Sequence, residues 1–259
     1  MALPIRPGVI LRLLRELKTG AGAEGPLCVT GAPALAAALA RDLAEGAAPA
    51  AVRDGFSRDA AALVHVLAAA PTEEDRRTLK EAEKAGVPVA AVLAGPGLDP
   101  RVPYVLATDV VVVAPGSAFP VEEIAQVLAR RLGEEGTSLA ARVPALRAAV
   151  CSALIASASR RNGILGAAIF IPGADFPVLT LNQLRLVLRI AAAHGVQVDN
   201  DRLPEIMGVI GSGLAFRAAA RQALGVVPLA GWAVKGGVAY AGTRALGEAA
   251  VRYFAARAA

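Results

Sequence analysis

Four apolar runs, each set apart from the next by a helical pattern or a turn, constrain this chain more than any other feature. They are PLCVT (Pro26–Thr30), AALVHVLAA (Ala61–Ala69), VPVAAVLA (Val87–Ala94) and DVVVVA (Asp109–Ala114). Strands with one wet face alternate apolar and polar residues. Runs without that alternation are buried on both faces, as parallel strands are. Helical patterns stand among them: PALAAALARDLA (Pro33–Ala44) with proline in its first turn, PTEEDRRTLKEAEKAG (Pro71–Gly86), and PVEEIAQVLARRL (Pro120–Leu132). In the second of these, Thr72 is placed to cap, acids fill the first turn and Gly86 follows the end. Right-handed crossovers then give an α/β fold, a doubly wound, mostly parallel sheet in three layers.

Past residue 136 the character changes. The stretch GEEGTS (133–138) reads as a linker, and helical patterns take over: SLAARVPALRAAVCSALIASASRRNG, LTLNQLRLVLRIAAAHG, DNDRLPEIMGVIGSGLAFRAAARQALG and LGEAAVRYFAARAA. Charge changes with it. Residues 1–136 hold 14 basic and 17 acidic side chains, a net of −3, while residues 137–259 hold 13 and 5, a net of +8. The expected organisation is an amphipathic N-terminal helix (1–24), an α/β domain (25–136) and an all-α, apolar, basic C-terminal domain (137–259). In the first piece Ile10, Leu13, Leu14 and Leu17 share a face, with Arg12, Arg15 and Lys18 near the other. Those arginines also interrupt what a signal peptide would keep apolar. Hydrophobic residues make up 55% of the chain, which excludes a disordered protein.

Chemistry-bearing residues are sparse. Cys28 and Cys151 lie in Ala/Val surroundings and read as small buried hydrophobes. His65 stands inside an apolar run and His194 at a helix end, neither with an acidic partner close in sequence, so a core or capping role is expected of each. No nucleophile–base, paired-carboxylate or metal-ligand spacing stands out, which points away from an enzyme.

The order of the first half resembles an Era-like GTPase domain over roughly residues 25–133. TEEDRRTLKEAEKAGVPVAAVLAG is similar to the passage from strand through helix into the guanine-recognition motif, and VVVAPGSAFPVEEIAQVLARRL to the last strand, its Ser-Ala loop and the closing helix. The resemblance implies a phosphate loop opening at Gly31, but the positions of its second glycine, lysine and hydroxyl residue hold Ala36, Ala37 and Ala38. Without the lysine and the hydroxyl, nothing meets the β- and γ-phosphates or the Mg²⁺ ion. Pro33 deletes a further backbone donor. The base-recognition motif would fall on Ala94, Gly95, Pro96 and Gly97, with no carboxylate. Asp54-Gly55 is out of register with the family's switch and reads as a turn. These losses imply a pseudoGTPase, a retained fold with no cofactor and no metal. The other reading, a weak or atypical nucleotide-binding regulator, rests on the free N–H groups where the helix opens at Pro33.

The second half resembles, over about residues 145–255, the helical membrane-associated domain of unknown function six-nine-seven. The shared features run in order: the turn in AIFIPGADFPVLT, the Asn-Gln-x-Arg helix start at Asn182, the Gly-Trp segment at Trp232 and the terminal Tyr-Phe. Its uncharged runs, Asn162 to Ala174 and Gln222 to Val234, fall short of the ~20 residues a spanning helix needs. Asp175 and Lys235 end those runs. Asp175 could cap the next helix and Lys235 reach water along its stem, or the two could pair. Arg185 with Arg189, and Arg217 with Arg221, recur at helical spacing without stacking aromatics, which disfavours nucleic acid. The expected function is therefore that of a non-enzymatic binding or scaffold protein. Its expected partner is an anionic membrane surface or an acidic protein, with homo-oligomers as a further arrangement. The expected place is the cytoplasm, peripheral at the inner face of the membrane.

Overall fold

The computed structural model describes residues 24–168, 176–196 and 231–258. They fall into two compact units that divide between Ala153 and Leu154. The N-terminal amphipathic pattern, Asp175, Arg217 and Arg221 lie outside the described residues.

The first unit is α/β. Strands β1 (Leu27–Gly31), β2 (Val52–Asp54), β3 (Ala62–Leu67), β4 (Val89–Leu93) and β5 (Val110–Val112) form one parallel sheet in the order β2-β1-β3-β4-β5. Helices α1 (Pro33–Leu43), α2 (Glu73–Ala85) and α3 (Val121–Leu132) cover it. From β1 the chain steps outward to β2, and from β3 it steps the other way to β4. Right-handed crossovers put α1 and α2 on opposite faces, and the order reverses between β1 and β3. All six residues of β3 are buried, as are all five of β4, which is why those runs show no alternation. One face packs Cys28, Leu63, Leu67, Ala91 and Leu93 against Leu79 and Ala82 of α2. The alternate residues Leu27, Val29, Val64, Val66 and Val92 are buried as well.

Local signals explain most of the boundaries. Thr72 caps α2 in a full capping box with Asp75, and Gly86 ends it in the left-handed conformation. Asp109, just before β5, is buried and paired with Arg131 at 3.4 Å. Two expectations need correction. Strand β2 escaped the sequence reading because its three residues are half-buried or exposed and carry Arg53 and Asp54. The stretch 133–138 is no linker. It forms a 3₁₀ turn (Gly133–Glu135) and the start of α4 (Gly136–Arg142), whose Arg142 bonds the Gly25 carbonyl at 2.8 Å. The fold therefore stays with the α/β unit for some residues after the composition has changed.

Helix α5 (Arg147–Ala168) follows a break at Pro144, and residues from Leu154 onward belong to the second unit with α6 (Phe176–Ala193) and α7 (Gly231–Ala258). α5 and α7 approach closely where Gly163 and Gly166 meet Gly236, Ala239 and Tyr240. A buried polar ladder joins all three helices. Asn182 Nδ2 donates to Asn162 Oδ1 at 2.9 Å and Asn162 Nδ2 to Thr243 Oγ1 at 2.9 Å. Gln183 Nε2 donates to the same oxygen at 3.1 Å, and the hydroxyl itself donates to the Ala239 carbonyl at 2.8 Å. Thr243 thus uses both acceptor sites and its proton.

Replacing Thr243 by valine keeps the shape but takes the shared acceptor from two buried amides, Asn162 and Gln183, at a cost of about 2 kcal/mol. Urea denaturation should show a lower midpoint for Thr243→Val at unchanged slope, and a midpoint near wild type for Thr243→Ser.

Candidate functional site at the carboxyl end of the sheet

In doubly wound sheets ligands bind beyond the carboxyl ends of the strands, where the strand order reverses. Here that place lies between β1 and β3, and two features occupy it.

The first is the junction between β1 and α1. Strand β1 ends at Gly31 and α1 begins at Pro33, so Ala32 alone links them. The Ala32 N–H is already bonded to the Val66 carbonyl at 2.9 Å, and Ala36 N–H closes the first helical turn on Ala32. Gly31 has φ 105°, and a Cβ there would lie 2.0 Å from the Val66 carbonyl oxygen. Only glycine fits this approach. Ala36, Ala37 and Ala38, the positions that the resemblance would give to phosphate-loop residues, sit on α1 rather than in a loop, and Ala36 is buried. A cradle of successive backbone N–H groups has no chain to form it at this junction. The corresponding end of β4 is similarly tight. Ala94 N–H bonds the Leu67 carbonyl, and a Cβ on Gly95 would fall 2.2 Å from the Ala68 oxygen. Gly97 turns away with φ 66° in open space.

The second feature went unseen in the sequence. Thr30 and His65 are opposite one another in the β1–β3 register. Thr30 Oγ1 lies 2.8 Å from His65 Nδ1, and His65 Nε2 lies 3.0 Å from Asp75 Oδ1. His65 is buried, as expected of a core residue, and the fold adds an acidic partner that is not close in sequence: Asp75 reaches it from the first turn of α2. The other carboxylate oxygen, Oδ2, accepts from the Thr72 N–H at 2.8 Å and from its hydroxyl at 2.7 Å, which fixes the carboxylate's orientation. Since a carboxylate only accepts, Nε2 carries the imidazole proton and Nδ1 accepts from the threonine hydroxyl. Burial pushes the His65 pKa below its ordinary value of 6.5, against a smaller upward pull from Asp75. Burial also works against ionised Asp75, but the bonds from Thr72 and His65 together outweigh it and hold its pKa below the ordinary value. The arrangement is a neutral imidazole between a hydroxyl and a carboxylate. One signal could have exposed it: Thr30 and His65 are polar residues inside otherwise apolar strands, and a buried imidazole needs partners for both nitrogens.

Cys28 and Cys151 are free and buried, and burial raises the pKa of both thiols, Cys151 to about 11. Among the described residues no three His, Cys, Asp or Glu side chains gather as a metal site.

The candidates in the second unit are not brought into one site. Arg185 and Arg189 are half-buried on α6, and each has a partner within the protein. Lys235 is exposed on α7, which also carries Trp232. His194 is buried at the end of α6, with its Nδ1 2.8 Å from the Ile190 carbonyl. No helix among the described residues is long and apolar enough to cross a membrane.

No family model, curated protein or solved structure matches the chain.

The lowered pKa of His65 has a direct consequence for stability. Near and below pH 6.5 the unfolded chain takes up a proton that the native state refuses, so stability falls as pH falls. The His65 contribution is complete above the unfolded value and is lost between that value and the lowered native one. Asp75, also lowered, adds a loss only below its ordinary 3.8. Urea midpoints measured from pH 8 down to pH 5 should decline in the wild type and decline less in His65→Gln, which cannot titrate there.

Proposed function

We propose that the chain is a non-catalytic binding or scaffold protein of the pseudoGTPase type, working at an acidic surface through its helical half. One observation carries the first part of the reading. The strand-to-helix junction at Gly31–Pro33 leaves no loop for phosphate, and the chain supplies neither the lysine nor the hydroxyl that nucleotide chemistry needs. The domain then offers surfaces rather than turnover, without a bound nucleotide or metal.

Charge supports the second part. The described residues of the helical unit include eight Arg and Lys but one acid, Glu248. That acid is taken by Arg244 at 2.8 Å. Arg160, Arg161, Lys235, Arg252 and Arg257 are exposed. On α5, Ile164 is 69% exposed and lies four residues after Arg160, on the same side of the helix. An apolar side chain beside arginines suits the headgroup region of an anionic bilayer better than it suits nucleic acid, which asks for stacking aromatics. The protein would then be cytoplasmic and peripheral at the inner membrane face, with an acidic protein as the other partner of the same charge and homo-oligomers as a further arrangement.

Two measurements test this reading. Isothermal titration of the full chain with GTP and Mg²⁺ should give no binding heat at micromolar concentrations. Micromolar affinity, or Mg²⁺-dependent hydrolysis, would replace the reading with that of an atypical nucleotide-binding regulator. In co-sedimentation, vesicles rich in acidic lipid should carry down the full chain, neutral vesicles should not, and salt raised toward 1 M should release it, because screening shortens the range of attraction to a few ångströms. Failure on both kinds of vesicle would leave an acidic protein as the partner.

A further inference from the structure

The Thr30–His65–Asp75 relay is graded in exposure. Thr30 is half-buried at the carboxyl end of β1, the Asp75 side chain is 16% exposed, and that of His65 is 2% exposed. An imidazole that accepts from a hydroxyl and donates to a fixed carboxylate is the arrangement that activates an oxygen nucleophile. A purely structural histidine would be satisfied by any two partners. Here one partner is a group that can react, at the end of the sheet where doubly wound folds take ligands.

We propose that Thr30 is an acyl-acceptor site, modified once per chain by an activated ester or thioester. Its Oγ1 attacks the carbonyl carbon as the hydroxyl proton passes to His65 Nδ1. The Asp75 carboxylate, on the far nitrogen, stabilises the resulting imidazolium. The tetrahedral centre then collapses, the bond to the alkoxide or thiolate leaving group breaks, and that group takes the proton from Nδ1. The balance is ester plus threonine giving acyl-threonine plus alcohol or thiol. Phosphoryl transfer is the poorer fit, because no cation among the described residues bonds to the relay and that chemistry rests on neutralising charge.

The inference goes beyond the scaffold reading and is tested separately, with the full chain and p-nitrophenyl acetate. The expected result is a burst of p-nitrophenolate equal to the amount of protein, without continued turnover, and an acetyl group mapped by mass spectrometry to Thr30. Thr30→Val, which keeps the β-branched shape, should abolish the burst, and Thr30→Ser should keep it. Asp75→Asn should slow it about 100-fold, with circular dichroism confirming that each variant is folded. The absence of a burst, a burst that survives in Thr30→Val, acetylation confined to lysines or the amino end, equal rates in wild type and Asp75→Asn, or steady turnover past one equivalent would each overturn it. None of these outcomes bears on the nucleotide titration.

Discussion

A single imidazole inside an apolar strand must find partners for both of its nitrogens, and that requirement organises the carboxyl end of the sheet. His65 takes one partner from β1 and the other from α2, so the two layers on that face are joined by directional bonds as well as by apolar contact. Asp75 is the pivot. One of its oxygens holds the imidazole and the other holds the amide and hydroxyl of Thr72, so the start of α2 and the orientation of the ring are set together. Apolar packing of Leu63, Leu67 and Leu79 supplies area without direction. The relay supplies the direction.

The helical unit solves a similar problem differently. Its α5–α7 contact depends on small residues that let backbones approach, and such surfaces slide easily because one glycine fits as well as the next. The ladder through Asn182, Asn162, Thr243 and Gln183 removes that freedom. A shift of one residue along α7 would take the Thr243 acceptor from two buried amides, those of Asn162 and Gln183. The desolvation of each stranded amide outweighs the slight difference in methyl packing between the two registers. Specific register here comes from uncharged polar groups, in a unit whose sequence reads as apolar and basic.

Much of the architecture was legible from the chain itself. The apolar runs gave four of the five strands, and α2 was delimited by Thr72 at one end and Gly86 at the other because capping and left-handed termination are written in single residues. What escaped had physical reasons. β2 is short and wet, so it carries no apolar run. The helical turns at 133–142 hold Gly and Ser in a pattern shared with linkers, and only contacts such as Arg142 to Gly25 reveal their place. The relay escaped for a third reason. Its members are 35 and 10 residues apart in sequence, and their meeting depends on the parallel register of β1 and β3, which no local pattern specifies.

The one-residue junction after β1 also limits how this chain could change. Writing Gly-Lys-Ser over Ala36–Ala38 would restore the letters of a phosphate loop, but it would set them on a formed helix, and the first falls at a position that packs into the core. A loop around phosphate would need chain as well as side chains, and one residue links β1 to α1. Supplying that chain calls for several inserted residues between Gly31 and Pro33, and those residues would break the bond from Ala32 to Val66 and displace Gly31 from the β3 backbone. Point substitution explores sequences of fixed length, so it leaves this junction as tight as it is now.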